Sequence, residues 1–85
     1  MSTDRATLTK SVLAVLCSIA PEVEPGEVVP SRTLRSQVDL DSMDWLNFLV
    51  ALHATFGVSI PESDYARLVT LDDVLDYLQA RIDAG

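Results

Sequence analysis

The sequence predicts an all-α protein, a four-helix bundle made of three main helices and one short helix. Apolar residues recur with helical spacing, prolines and glycines fall between those stretches, and no segment alternates between apolar and polar residues. With 85 residues, 48% of them hydrophobic, the chain has the length of one domain, and we expect residues 1–85 to form it. A chain this small can bury a core, but it has no room for a deep catalytic cleft as well.

The first predicted helix is amphipathic and ends before Pro21, because a proline forces the preceding residue away from helical angles. Ser2 or Thr3 is expected to cap its start, with Asp4 in the first turn near the positive end of the helix dipole. Its apolar stripe consists of Leu8, Val12, Val15, Leu16 and Ile19.

A long connector follows, from Pro21 to Leu40, and it holds three of the four prolines. Unstructured loops of that length are uncommon inside small domains. We therefore expect an ordered loop with one helical turn near residues 31–36. Five apolar side chains are expected to attach it to the core: Val23, Val28, Val29, Leu34 and Leu40.

The second main helix is predicted from Ser42 to Phe56, with Asp41 as its cap and Asp44 in its first turn. Gly57 is suited to the left-handed position that ends a helix. This helix is more apolar than one buried face requires. Its apolar residues form two groups, which are Phe48, Leu49, Leu52 and Phe56 on one side and Met43, Leu46 and Val50 on another, beside Asn47.

Two explanations of these groups stay open at this point. Either the first group meets the core and the second meets a partner, or the helix is central and buried on all sides.

After Gly57 the pattern predicts a short extended link and then a short helix that begins near Pro61. The segment Thr70-Leu71-Asp72-Asp73 is typical of a capping box with Asp in place of Glu. It opens a final helix whose apolar stripe consists of Leu71, Val74, Leu75, Leu78 and Ile82.

The charge of the chain restricts its partners. Thirteen acidic residues against six basic ones give a net charge of −7, which excludes nucleic acid and favours docking onto basic protein surfaces. No apolar run approaches the roughly 18 residues that span a bilayer, so no membrane insertion is expected. A single cysteine, Cys17, and a polar N-terminus without a signal-peptide pattern predict a cytoplasmic location.

Three ordered motifs resemble the acyl carrier protein family, and they cover nearly the whole chain. They are Leu40-Asp41-Ser42-Met43 with its helix, Phe56-Gly57-Val58-Ser59-Ile60-Pro61, and the segment from Thr70 to Leu78. The resemblance implies a non-catalytic carrier with 4′-phosphopantetheine attached to Ser42. A phosphopantetheinyl transferase would supply the arm from coenzyme A. Acyl-activating or acyl-transferring enzymes would then use the arm's thiol, and we expect a monomer.

The residues around Ser42 agree with this role. A modified Ser42 would hold a phosphodiester anion at a helix N-terminus, where free N–H groups favour negative charge. A serine here without the other motifs would be read as a helix cap. A hydrolase with Ser42 as nucleophile is excluded, because His53 lies about three turns along the same helix, roughly 16 Å away.

The chain departs from the family pattern along the second helix. Fatty-acid carriers generally have acids there, whereas this chain has Asn47, His53 and Ala54, and keeps its acids close to Ser42. We therefore expect a specialised, free-standing carrier with dedicated partners. Its expected partner surface is Asp41, Met43, Asp44, Leu46, Asn47 and Val50.

Two alternatives remain open. The Asp-Ser-Met triplet is also similar to carriers of D-alanine, which would make the cargo an aminoacyl group. The second alternative is a helical adaptor, which binds proteins without carrying cargo.

Overall fold

The N-terminal apolar stripe forms a helix, α1, which spans Arg5–Ile19 in a computed structural model that describes residues 4–38 and 40–84. The cap is Asp4, whose carboxylate accepts a hydrogen bond from the Thr7 amide at 3.2 Å. The prediction that Asp4 lies inside the first turn is wrong, because its backbone is extended and the helix begins one residue later. Ser2 and Thr3, the predicted caps, lie outside the described residues.

The connector is ordered, as predicted. It contains a 3-10 turn at Pro25–Glu27 and a one-turn helix, α2, at Leu34–Gln37. The side chains of Val23, Leu34 and Leu40 are buried in the core, as expected.

Val29 is the exception, since 39% of its surface is exposed. The loop is held there by a side-chain amide instead of an apolar contact. The Gln37 amide accepts a hydrogen bond from the Val29 N–H at 2.7 Å and donates to the Val29 carbonyl at 2.8 Å. Both backbone groups of Val29 are thereby satisfied, so this part of the connector is fixed without full burial of the Val29 side chain.

Helix α3 spans Ser42–Phe56, the bounds that the sequence predicts. At its start the Asp41 carboxylate accepts a hydrogen bond from the Asp44 amide at 2.8 Å, which confirms the predicted cap. At its end Gly57 adopts φ +67°, the left-handed conformation, and its amide donates to the His53 carbonyl at 2.8 Å.

The C-terminal part consists of a 3-10 helix, Glu62–Arg67, and helix α4, Leu71–Ala84. Both hydrogen bonds of the predicted capping box, one from each residue to the other, are present. The Asp73 amide donates to the Thr70 hydroxyl at 3.0 Å, and the Thr70 amide donates to the Asp73 carboxylate at 3.1 Å.

A polar cluster fastens the 3-10 helix to α4. The Tyr77 hydroxyl donates to the Asp64 carboxylate at 2.7 Å, and the Arg81 guanidinium lies 3.4 Å from the same carboxylate and 4.6 Å from the centre of the Tyr77 ring. Burial, together with this hydrogen bond, raises the pKa of the Tyr77 phenol.

The bundle closes around α1, which packs against both α3 and α4. The connector is tied to the start of α4 by backbone hydrogen bonds from Leu34 N–H to the Val69 carbonyl and from Asp72 N–H to the Pro30 carbonyl. The radius of gyration is 11.9 Å, and about 12 Å is expected for a folded chain of this length. Within the described residues, no helix is long and apolar enough to cross a membrane.

Candidate functional site

Ser42 is the first residue of α3 and is exposed to solvent. It lies between two buried anchors. Leu40 precedes it by two residues and is 6% exposed, and Trp45 follows one turn later and is 8% exposed, with its ring centre 5.4 Å from that of Phe48. These two side chains attach the backbone to the core on both sides of Ser42, while Ser42 itself faces solvent.

The start of α3 provides an environment for an anion. The Asp41 cap occupies the amide of Asp44, whereas the amides of Ser42 and Met43 come before any helical carbonyl that could accept from them. Free amides at a helix start, together with the positive end of the helix dipole, favour a phosphate group. The residues present therefore fit a phosphodiester on the Ser42 hydroxyl.

The single histidine lies far from this hydroxyl. His53 is in the last turn of α3, and its Nδ1 is 2.9 Å from the Val58 carbonyl oxygen. A hydrogen bond at this site satisfies a carbonyl near the end of the helix. The arrangement at Ser42 suits modification by another enzyme, since no imidazole from this chain lies beside the serine to activate it.

The two apolar groups of α3 have different surroundings. Phe48, Leu49 and Leu52 are between 0% and 1% exposed, whereas Met43 and Val50 are 73% and 56% exposed. The alternative of a helix buried on all sides is therefore wrong. The remaining residues of the predicted partner surface are exposed, namely Asp41, Leu46 and Asn47, apart from Asp44, which is half-buried.

Next to the first turn of α3 lies a cleft that the sequence did not indicate. It has a volume of about 270 Å³, and its lining residues are Thr33, Arg35, Trp45, Tyr65, Ala66, Leu68 and Val69. Trp45 lies three positions after Ser42, a separation that places two residues side by side on a helix. From the sequence, only this spacing indicates that Trp45 lies near Ser42. The position of Arg35 in the cleft depends on the path of the connector, which the sequence pattern does not predict.

Comparison with known proteins agrees with the geometry of this site. Residues 10–78 match a family described as the phosphopantetheine attachment site. The chain belongs to the acyl carrier protein family. It is 36% identical over 62 residues to the acyl carrier protein of Thermosynechococcus vestitus, covering 73% of this chain and 76% of that one.

Two further relatives extend the comparison. The meromycolate extension acyl carrier protein of Mycolicibacterium smegmatis is 35% identical over 77 residues, which covers 87% of this chain and 78% of that one. The mitochondrial acyl carrier protein 2 of Arabidopsis thaliana is 27% identical over 81 residues, which covers 95% and 64%.

Family membership confirms three predictions made from the sequence. The chain is an acyl carrier protein that carries phosphopantetheine, its fold is the all-α bundle of that family, and it is a carrier and not an enzyme. It works with a phosphopantetheinyl transferase and with acyl-handling enzymes.

Proposed function

We propose that the phosphopantetheine arm is attached to Ser42 and that this carrier serves a specialised pathway with dedicated partner enzymes. The observation that carries the first part is the exposed hydroxyl at the start of α3, held between the buried Leu40 and Trp45. The chain supplies the hydroxyl and a helix terminus that favours the phosphodiester. The arm, when bound, supplies the thiol on which acyl groups travel as thioesters.

The attachment residue is tested by intact-mass spectrometry after incubation with coenzyme A and a broad-specificity transferase. The wild-type chain should gain the mass of one arm, and Ser42→Ala should gain none. Ser59→Ala is the matched control, because Ser59 is also exposed and lies just beyond the other end of α3. It should be modified like the wild type.

Two results would contradict the proposal: an arm on Ser42→Ala that circular dichroism shows to be folded, or a wild-type chain that remains unmodified.

The second part of the proposal concerns the surface that partners use. Acidic residues on α3 and its cap are confined to the first turn, at Asp41 and Asp44. Further along, none of the exposed positions is acidic; besides Leu46 and Val50 they are Asn47, His53, Ala54 and Thr55. Partners with a long basic patch would place cations against these neutral side chains and gain little from them. We therefore assign docking mainly to the apolar side chains of Met43, Leu46 and Val50, with Asp41, Asp44 and Asn47 at the edge.

A salt series tests this assignment. Exposed charge pairs are screened over about 8 Å at physiological ionic strength, while apolar contacts are not. Turnover of the acylated carrier by an acyl-transferring enzyme encoded near its gene should therefore vary little with salt. A ketosynthase of general fatty-acid synthesis should use the carrier poorly at every salt concentration. Efficient and steeply salt-dependent use by the general enzyme would contradict the specialised role.

Three further expectations stay predictions. They are that residues 1–85 form one free-standing domain, that this domain is a monomer, and that it is located in the cytoplasm. Size-exclusion chromatography with light scattering checks the monomer, and fractionation of the source cells checks the compartment.

A further inference from the structure

The cleft at Trp45, one helical turn after Ser42, combines a cation with an apolar wall. Of its lining residues, Arg35 alone carries a charge, and most of the others contribute apolar surface. Trp45 connects the cleft to the site, because residues three apart on a helix have Cβ atoms about 5–6 Å from each other. A group attached to Ser42 therefore begins within a few bonds of this wall.

The charge on Arg35 has no described counterpart. Arg5 and Arg81 form ion pairs with carboxylates. Within the described part of the chain Arg35 forms none, like Arg32 and Arg67, and of these three it is the one that lines the cleft. A phosphodiester on Ser42 would add a negative charge between Asp41 and Asp44. The helix dipole offsets about half of one charge, and a guanidinium within reach of the phosphodiester would offset more of it.

We propose that the first part of the attached arm lies in this cleft, with its phosphodiester against the Arg35 guanidinium and the paired methyl groups of its pantoate against the Trp45 ring. The proposal rests on attachment at Ser42 and adds a binding site for the arm. A guanidinium matches a phosphate in charge and in hydrogen-bonding shape. The apolar wall matches the methyl groups, which would otherwise face water.

The docked arm exchanges with a free arm. Arg35 is exposed, and ion pairs at exposed positions are weak because water and salt screen them. The thiol end is therefore still able to swing toward a partner enzyme. Docking shortens the free part of the arm in the resting carrier and shields the phosphodiester from the two neighbouring carboxylates.

Nuclear magnetic resonance of the modified carrier tests the proposal, because Trp45 is the only tryptophan and its indole signals are unambiguous. Intact mass first establishes that the arm is present on wild type, Arg35→Gln and Arg32→Gln, and peptide mass spectrometry places it. Arg32 is the matched control, since it is an exposed arginine of the same connector that does not line the cleft. Arg35 and Arg32 are both exposed, so circular dichroism should show both variants folded.

The modified wild type should give nuclear Overhauser contacts between the pantoate methyl protons and the Trp45 indole protons. Arg35→Gln should weaken these contacts and shift the ³¹P resonance, and Arg32→Gln should leave both unchanged. An attached arm without contacts to Trp45 would overturn the inference while leaving attachment at Ser42 intact. Contacts equally strong in Arg35→Gln would overturn the role of Arg35. An arm found on another residue would overturn the proposed function and this inference with it.

Discussion

The two apolar groups of α3 have the same side-chain chemistry and opposite positions. Leu52 is fully buried, whereas Leu46, six residues earlier, is 46% exposed. At 100° per residue the two leucines point about 120° apart around the helix. An apolar residue in this helix is therefore not always a core residue. Its angle around the helix axis determines whether it packs in the core and stabilises the fold or lies on the surface, where a partner can contact it.

Ser42 belongs to the presenting side in this comparison. Ser42 is exposed in the first turn, near Met43 and Leu46, while Trp45 in the first turn and Phe48 in the second attach the helix to the core. A partner that contacts the exposed side chains therefore also approaches the serine. A single helix, α3, therefore carries both the side chains that attach the site to the core and those that other proteins are able to contact.

The largest expected effect comes from the buried face. Phe48 has no exposed surface, so Phe48→Ala removes a large apolar side chain and leaves a cavity. We expect a loss of about 3–5 kcal/mol in the free energy of unfolding, measured by urea denaturation. Val50→Ala on the exposed face is the control, with a loss below about 0.5 kcal/mol. Similar losses in both variants would remove the distinction between the faces.

A smaller effect is expected at Gly57, which ends α3. Gly57 has φ +67°, and a Cβ built there meets no atom within 4 Å, so Gly57→Ala costs backbone strain alone. We expect a loss of about 1–2 kcal/mol in the free energy of unfolding, measured by the same denaturation. Gly26→Ala is the matched control, because Gly26 also has open space but no positive φ. Equal stability of the two variants would contradict the assigned cause.

The parts of the structure that the sequence predicted well depend on local rules. The bounds of α3, its Asp41 cap, its Gly57 end and the Thr70–Asp73 capping box each involve residues within four positions of one another. Such patterns depend on neighbouring residues and not on tertiary contacts, so they can be predicted from the sequence alone. The position of Ser42 at the first turn of α3 was predicted for the same reason.

The parts that were missed depend on how distant segments meet. The partly exposed Val29 is held by hydrogen bonds to the Gln37 amide, eight positions away, and these form only once the connector has folded. The hydrogen bond from Tyr77 to Asp64 joins residues 13 positions apart. The cleft between Arg35 and Trp45 likewise needs the connector, the 3-10 helix and α3 in place together. No helical spacing or capping signal encodes these approaches.

The most direct test of this division compares Leu46→Ala with Leu52→Ala, the same substitution on the two faces. The free energy of unfolding and the kcat/KM for arm transfer are measured for both at a low temperature where each is folded. Leu52→Ala should lose about 2–5 kcal/mol of stability and keep its kcat/KM. Leu46→Ala should lose less than about 0.5 kcal/mol, while its kcat/KM falls about fivefold or more, as for a contact worth roughly 1 kcal/mol. Unchanged transfer to Leu46→Ala, or equal destabilisation of the two variants, would contradict the account.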